Sequence, residues 1–210
     1  MPKPGWVDYS GAAPILLPVS LLPHWRGGFV RAKKNDAAEL ELPEGRFKIC
    51  NSVDFKKPKT DYDRACALGG VPAVQQLRAG PGYGLVFATE LDTLTWWPEY
   101  LMLVNGGALP KSKLLPRVEW SDQCVWLATE PDFVLMNACQ HGRSPDLGPH
   151  FDIRLEPAEY VVQWGQYGWA AKDSALILFR FVQQNAANLP LHRTAVKCVV
   201  SRPDRSVRGP

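Results

Sequence analysis

Proline and glycine recur along this chain too often for long helices to form. The 210 residues include 19 prolines and 17 glycines, and the apolar runs between these breaks are short. Proline lacks a backbone hydrogen-bond donor and glycine favours turns, so the pattern favours short strands over a helical bundle. The apolar runs predict about eight to ten short strands in antiparallel sheets, with one or two short helices. The predicted fold class is therefore strand-rich α+β.

The strongest strand signals are uninterrupted or alternating apolar residues. Pro14–Pro18 and residues 175–182 are apolar at almost every position, which is typical of strands buried on both faces. Residues 151–156 alternate apolar and polar side chains and indicate a half-buried strand. Because Pro157 then turns the chain, we expect this strand to form a hairpin with residues 160–164.

Two further strands and one helix follow from the same patterns. Residues 124–127 and 133–136 are predicted strands joined by a short turn. Residues 61–68 are predicted to form a helix, because Thr60 or Asp61 can cap its first turn and two glycines follow its last.

Length and composition fit one domain. Hydrophobic residues make up 46% and charged residues 21%, near the values of globular proteins, which excludes a disordered chain. We predict a single domain over residues 1–201 and a flexible tail over 202–210, with two packed halves (about 1–108 and 109–201) as the alternative division. Residues 27–59 are polar and basic, which favours a long surface excursion, either an insertion or a mobile arm.

Charge is distributed unevenly, although the net charge of +3 is too small for a typical nucleic-acid-binding protein. Residues 1–60 carry 10 basic and 6 acidic side chains, whereas residues 61–201 carry 11 and 14. The tail carries 3 basic and 1 acidic. Within the mildly acidic body, four carboxylates lie close in sequence and predict a local acidic patch: Glu119, Asp122, Glu130 and Asp132.

Cysteine usage and hydropathy favour a cytoplasmic protein. The cysteines are odd in number and widely spaced, which argues against a disulfide framework and for reduced thiols: Cys50, Cys66, Cys124, Cys139 and Cys198. The longest uncharged run, residues 9–25, contains three prolines and does not resemble a membrane-spanning helix. We therefore expect no contact with a membrane.

No sequence pattern for catalysis or metal binding stands out. Cys139 and His141 are the only close cysteine–histidine pair, and a structural zinc site needs two pairs with longer spacers. The glycine-rich residues 80–84 precede a strand and lack the lysine of a phosphate-binding loop. We predict a protein that is not an enzyme and uses no metal or cofactor. A catalytic site assembled from distant residues is the alternative.

Aromatic side chains cluster in two places, residues 96–100 and 164–169. Each cluster suits either core packing or contact with a partner, because exposed Trp and Tyr anchor protein interfaces. Neighbouring residues of a strand point to opposite faces, so one of Trp96 and Trp97 is free for a partner if the other is in the core. Together with nearby carboxylates, the candidate contact residues are Trp97, Glu99, Tyr100, Glu119, Asp122, Tyr167 and Trp169.

Three motifs resemble one family of bacterial immunity proteins. In order they are WVDYSGAAPILLP at residues 6–18, TDYDRACAL at 60–68 and GYGLVFATELDTLTWWPEY at 82–100. The family is the one numbered twenty-one among the immunity proteins of polymorphic toxin systems. The chain departs from its usual pattern at residues 12–13, where Gly-Pro is common, and at residues 88–91, where Gly-Asp-Glu-Pro is common.

The resemblance implies a small cytosolic antidote that binds and blocks the toxin encoded near it. Recognition surfaces differ between members, so the seven contact candidates rest on residue chemistry alone. The family signature consists of Asp61, Tyr62, Asp63 and Arg64, and it is expected to hold the fold. Within it, Asp61 and Arg64 are expected to form an ion pair within one helical turn. The aromatic content leaves one other function open, a binding module for nucleic acid or carbohydrate.

Overall fold

The structure is a computed structural model, which describes residues 5–8, 13–50, 56–67, 73–88, 93–97, 100–104, 118–144, 148–167 and 176–184. These residues form fourteen strands in three antiparallel sheets, one 3₁₀ helix (Val19–His24) and one α-helix, α1 (Asp61–Cys66). In chain order the strands are β1 (Gly5–Asp8), β2 (Pro14–Pro18), β3 (Phe29–Arg31), β4 (Leu40–Leu42), β5 (Gly45–Ile49), β6 (Ala73–Ala79), β7 (Gly82–Ala88), β8 (Thr93–Trp97), β9 (Tyr100–Val104), β10 (Trp120–Ala128), β11 (Asp132–Asn137), β12 (His150–Arg154), β13 (Ala158–Tyr167) and β14 (Leu176–Gln183).

The three sheets differ in size. The largest has the order β1-β8-β9-β14-β13-β10, the second β12-β11-β2-β7-β6, and the smallest β3-β5-β4. The strand-rich α+β class with antiparallel sheets and two short helices is confirmed. The described strands outnumber the eight to ten expected. One reason is that residues 29–49, within the segment 27–59 expected as a surface excursion, form the smallest sheet. Neither helix in this described part is long and apolar enough to cross a membrane.

A core of large apolar side chains lies between the two larger sheets. Leu16 and Phe133 from the five-stranded sheet pack in it with Trp126, Val162 and Phe179 from the six-stranded sheet. The ring centroids of Trp126 and Phe133 are 5.1 Å apart at a steep angle, the edge-to-face arrangement that aromatic pairs favour. Both sheets combine strands from either side of residue 108, since β2 pairs with β11 and β9 pairs with β14.

A second core covers the other face of the five-stranded sheet. Ile15 and Leu17 point away from Leu16 and pack against Trp25, which follows the 3₁₀ helix, and Ala65 of α1. The Trp25 indole N–H donates to the backbone oxygen of Ala138 at 3.1 Å. The five-stranded sheet is therefore buried on both faces, which explains why Pro14–Pro18 is apolar at every position.

One long antiparallel ribbon connects the two larger sheets. β10 pairs with β13 as far as Ala128 and Ala158, and beyond a bend β11 pairs with β12. Pro131 and Pro157 lie in the bend, where a residue without a backbone N–H interrupts the ladder. The Leu155 N–H donates to the Pro131 oxygen at 2.9 Å and holds the two bent segments together.

The bend corrects a sequence prediction. The hairpin expected between residues 151–156 and 160–164 is wrong, because β12 pairs with β11 whereas β13 pairs with β10 and β14. The strands predicted at 124–127 and 133–136 are present as parts of β10 and β11, but the turn between them also passes from one sheet to the other. Alternation within a strand does not reveal which sheet the strand joins.

The smallest sheet docks on the loop that follows β11. His141 is 2% exposed and its ring centroid lies 5.8 Å from that of Phe29 and 5.0 Å from that of Phe47. At the rim, an Arg143 guanidinium nitrogen lies 3.0 Å from a Glu44 carboxylate oxygen. The His141 imidazole therefore fills an apolar contact between the sheet and the rest of the molecule.

Helix α1 begins with a capping box formed by Thr60 and Asp63. The Thr60 hydroxyl accepts from the Asp63 N–H at 2.9 Å, and the Asp63 carboxylate accepts from the Thr60 N–H at 3.1 Å. The Lys59 N–H donates to the same carboxylate oxygen at 2.8 Å. Asp63 is 1% exposed, so its carboxylate satisfies buried donors that water cannot reach.

The other signature residues also make contacts that hold the fold. Asp61 pairs with Arg64 and accepts the Arg26 N–H at 2.7 Å. The Tyr62 N–H donates to the Gly27 oxygen at 3.0 Å, and burial raises the pKa of the Tyr62 hydroxyl. These contacts join α1 to the chain entering the smallest sheet.

Burial of His141 predicts a pH-dependent stability. Burial lowers the pKa of this imidazole below its ordinary value of 6.5, and the positive charges of Arg26 and Arg143 lower it further. The carboxylates of Glu44 and Asp61 raise the pKa but do not reverse the shift. The unfolded chain therefore binds a proton more readily, so the free energy of unfolding should fall as pH drops below about 6.5. Urea denaturation between pH 7.5 and 5 measures this.

The control for this prediction uses a second histidine. His141→Gln should flatten the loss of stability between pH 7.5 and 5, whereas the exposed His150, changed to Gln, should leave it as in the wild type. The same slope in the His141→Gln variant and the wild type would contradict the assignment.

The capping box predicts a cost for removing its carboxylate. Asp63→Ala leaves two backbone N–H groups without their partner and should lower the free energy of unfolding by about 1–3 kcal/mol. Asp132→Ala, at an exposed carboxylate, serves as the control and should change stability by less than about 0.5 kcal/mol. Chemical denaturation at pH 7 compares them, and equal losses would contradict a capping role.

Candidate functional site

The outer face of the six-stranded sheet carries a row of residues that the sequence scatters over five strands. Residues directly opposite each other in antiparallel strands share a face, so successive partners define the row. We call this the outer row, from β8 to β10: Trp97, Tyr100, Arg180, Gln163 and Asp122. Three of the seven residues predicted as partner contacts therefore occupy register positions in one row.

Hydrogen bonds link the described side chains of the outer row. The Arg180 Nε–H donates to Gln163 Oε1 at 2.7 Å, and the Gln163 amide nitrogen donates to Asp122 Oδ1 at 2.5 Å. The Arg180 guanidinium also lies 4.1 Å from the centroid of the Trp120 ring. A cation over an aromatic face is attracted to it, so the Arg180 side chain is held from two sides. This network presents the Asp122 carboxylate in a fixed orientation.

Exposed apolar side chains border the outer row. Val125 lies opposite Val161, which lies opposite Val182, and Leu127 follows two residues along the same face of β10. Leu127 is 60% exposed and Val125 46%. Neighbouring valine and leucine side chains are usually found in a protein interior. On a surface, a contiguous apolar patch of this kind marks a binding site.

A groove continues this apolar patch around the edge of the sheet. It has a volume of about 330 Å³ and lies between β10, the turn joining β6 and β7, and the 3₁₀ helix. Leu127 lines it together with Tyr83, which is 53% exposed. Others among its lining residues are Pro18, Leu21, Trp126 and Glu130. We call the groove together with Val125, Leu127, Val182 and Tyr83 the β10 surface.

Exposed apolar residues concentrate on the β10 surface. Among the described residues six large apolar side chains are exposed, and four of them belong to this surface. Val19 lies between the groove residues Pro18 and Ser20, and only Ile49 is in the smallest sheet. Neither Tyr83 nor Leu127 was singled out from the sequence. Leu127 lies within five consecutive apolar residues, 124–128, whose exposed members cannot be told from the buried ones by sequence alone.

The predicted acidic patch is divided in two. Glu119 and Asp122 lie at the start of β10, whereas Glu130 and Asp132 follow its end. Asp122 and Glu130 are eight residue steps apart, which corresponds to about 25 Å in extended backbone. The four carboxylates therefore form two pairs at opposite ends of the strand rather than one patch.

The remaining contact candidates are placed less completely. Glu119 is exposed. Its backbone passes close to Gly165, which leaves no room for a side chain there: the methyl group of an alanine at position 165 would lie 2.2 Å from a Val118 carbon. Tyr167 ends β13, and only its strand position is described, as for Trp97 and Tyr100. Glu99 and Trp169 lie outside the described residues.

The described cysteines and histidines form no metal centre. No three His, Cys, Asp or Glu side chains come together in the described part of the chain in a way that could hold a metal ion. Cys50, Cys66, Cys124 and Cys139 carry reduced thiols and are partly buried. Burial raises the pKa of the Cys66 and Cys139 thiols, which keeps them protonated and weakly nucleophilic near neutral pH.

Comparison with known proteins identifies the family. The family described as Immunity protein 21 matches residues 5–174, which is well over half of the 210-residue chain. The match extends beyond the three motifs that resemble the family and includes β10, β11, β12 and β13. No curated protein and no solved structure matches the chain significantly. The chain belongs to the immunity protein 21 family.

Proposed function

We propose that this protein binds a cognate bacterial toxin through the β10 surface and neutralises it by direct occlusion. Membership of the immunity protein 21 family supports a role in immunity to a toxin. The observation that carries the choice of surface is the concentration of exposed apolar side chains around β10. The toxin is the product of a gene near that of the antidote, and the complex forms in the cytoplasm of the producing cell.

The β10 surface has the composition of a protein interface. Leu127 and Val125 form an apolar centre, and the polar side chains of Asp122, Gln163 and Glu159 lie around it. Stable interfaces bury about 800 Å² on each partner, with apolar residues at the centre and polar ones at the rim. The outer row adds a fixed carboxylate, which helps to orient an approaching partner.

Occlusion requires one antidote for each toxin molecule. We infer that the protein is not an enzyme and that protection follows the amount of complex formed. Titrating toxin activity with purified protein should therefore give an end point at one equivalent. Full protection at a small fraction of one equivalent would contradict occlusion and favour a catalytic antidote.

The experiment that tests the function is co-expression with the toxin. Cells that produce the toxin should grow when this protein is present, and both proteins should elute together in a pull-down. Absence of a complex and of rescue would contradict the proposal. Binding of RNA or DNA that weakens steeply with salt would then favour the nucleic-acid module instead.

A charge placed at the centre of the β10 surface should break the complex. Leu127→Asp puts a carboxylate into an apolar contact, and a residue at the centre of an interface is expected to weaken binding by about 2 kcal/mol or more. Isothermal titration calorimetry with the toxin measures the change, and growth under co-expression should be lost in parallel.

Ile49→Asp provides the matched control. Ile49 is 39% exposed in the smallest sheet, away from β10, so the same change in chemistry should leave affinity and rescue intact. If Ile49→Asp abolished binding and Leu127→Asp did not, the interface would lie on the smallest sheet, and the choice of surface would be wrong.

A further inference from the structure

We propose that the groove of the β10 surface binds an arginine side chain of the toxin, with Glu130 as the residue that receives its guanidinium. This inference rests on the proposed function, because it assigns the chemistry of the partner at that same surface. It follows from an oriented carboxylate, an exposed aromatic ring and apolar walls that meet in one cavity of about 330 Å³.

Glu130 is held in place by the start of the 3₁₀ helix. The Ser20 hydroxyl donates to Glu130 Oε1 at 2.5 Å, and the Ser20 N–H lies 3.4 Å from Oε2. A carboxylate can accept about four hydrogen bonds, so acceptor sites on both oxygens are left for a ligand. Because Ser20 restricts the side chain, little conformational freedom is lost when a ligand binds.

No cation neutralises Glu130 within the described part of the molecule. The ion pairs there join other carboxylates to Lys, Arg or His side chains, as in Asp36 with Lys48 and Glu44 with Arg143. Glu130 differs from these because its anchors are the neutral donors of Ser20. A carboxylate fixed in a groove without a cation is complementary to a basic group on a partner.

The walls of the groove favour arginine over lysine. The Tyr83 ring is exposed at the groove, where a planar guanidinium can lie against it. Leu127 and Pro81 also line the groove and suit the aliphatic stem of a long basic side chain. Arg78 lies opposite Tyr83 in the ladder, but its Nε–H donates to the Gly80 oxygen, and it does not line the groove.

Backbone pairing with β10 is a less suitable mode of recognition. The Gln76 amide donates to the Val125 oxygen at 2.8 Å, so the neighbouring strand β6 already occupies an acceptor on the free edge of β10. Addition of a partner strand along this edge would have to displace that bond. Side-chain insertion into the groove requires no such displacement.

Glu130→Gln tests the inference with little effect on the fold. The amide oxygen of Gln can still accept from the Ser20 hydroxyl, but the negative charge is lost. The dissociation constant for the cognate toxin should rise about tenfold or more, mainly through faster dissociation. Asp132→Asn is the matched control, because it removes one exposed charge two residues away and outside the groove lining. Its affinity should stay close to that of the wild type.

Arginine footprinting identifies the partner group. Phenylglyoxal reacts with exposed arginines, and mass spectrometry of the complex should find a toxin arginine that is protected by the wild-type protein and reactive with the Glu130→Gln variant. Three results would overturn the inference: an unchanged affinity for Glu130→Gln, equal losses of affinity for both variants, or no protected arginine. In each case, formation of the complex by the wild-type protein would still uphold the proposed function. If the wild-type protein forms no complex, both fail.

Discussion

The bend in the ribbon of β10, β11, β12 and β13 determines how the rest of the molecule is arranged. Pro131 and Pro157 interrupt the ladder there, so that one pair of strands enters the six-stranded sheet and the other enters the five-stranded sheet. Trp126 and Phe133 pack against each other across this change of sheet. The groove forms beside the bend, and Glu130 reaches Ser20 because the bend places the two next to each other.

The two larger sheets differ in which of their faces are buried. The five-stranded sheet is covered on both faces, by the six-stranded sheet and by the 3₁₀ helix with α1. In the six-stranded sheet, Val125, Leu127 and Val182 are exposed on the outer face. The family signature around Asp63 stabilises the covered side of the five-stranded sheet, whereas Val125, Leu127 and Val182, which are proposed to meet the toxin, lie on the outer face of the six-stranded sheet.

Local sequence patterns predicted the elements but not how they assemble. The uninterrupted apolar run of β2 and the capping residues of α1 are local signals. β2 formed over the expected residues, and α1 begins at Asp61 as expected but ends at Cys66 rather than at residue 68. The pairing of β12 with β11 depends on a bend that no periodicity encodes. Trp97, Tyr100 and Asp122 were chosen for their chemistry, but their common row follows only from the register of four strand pairs. Leu127 was missed, because exposure depends on which strand lies at the sheet edge.

Methyl NMR of the complex tests the central claim that the β10 surface meets the toxin. The protein would be labelled at Ile, Leu and Val methyl groups and titrated with unlabelled toxin. The resonances of Val125, Leu127 and Val182 are expected to shift and to saturate at one equivalent, while that of Ile49, in the smallest sheet, stays in place. A complex that shifts Ile49 and leaves the three β10-surface residues unchanged would contradict this claim.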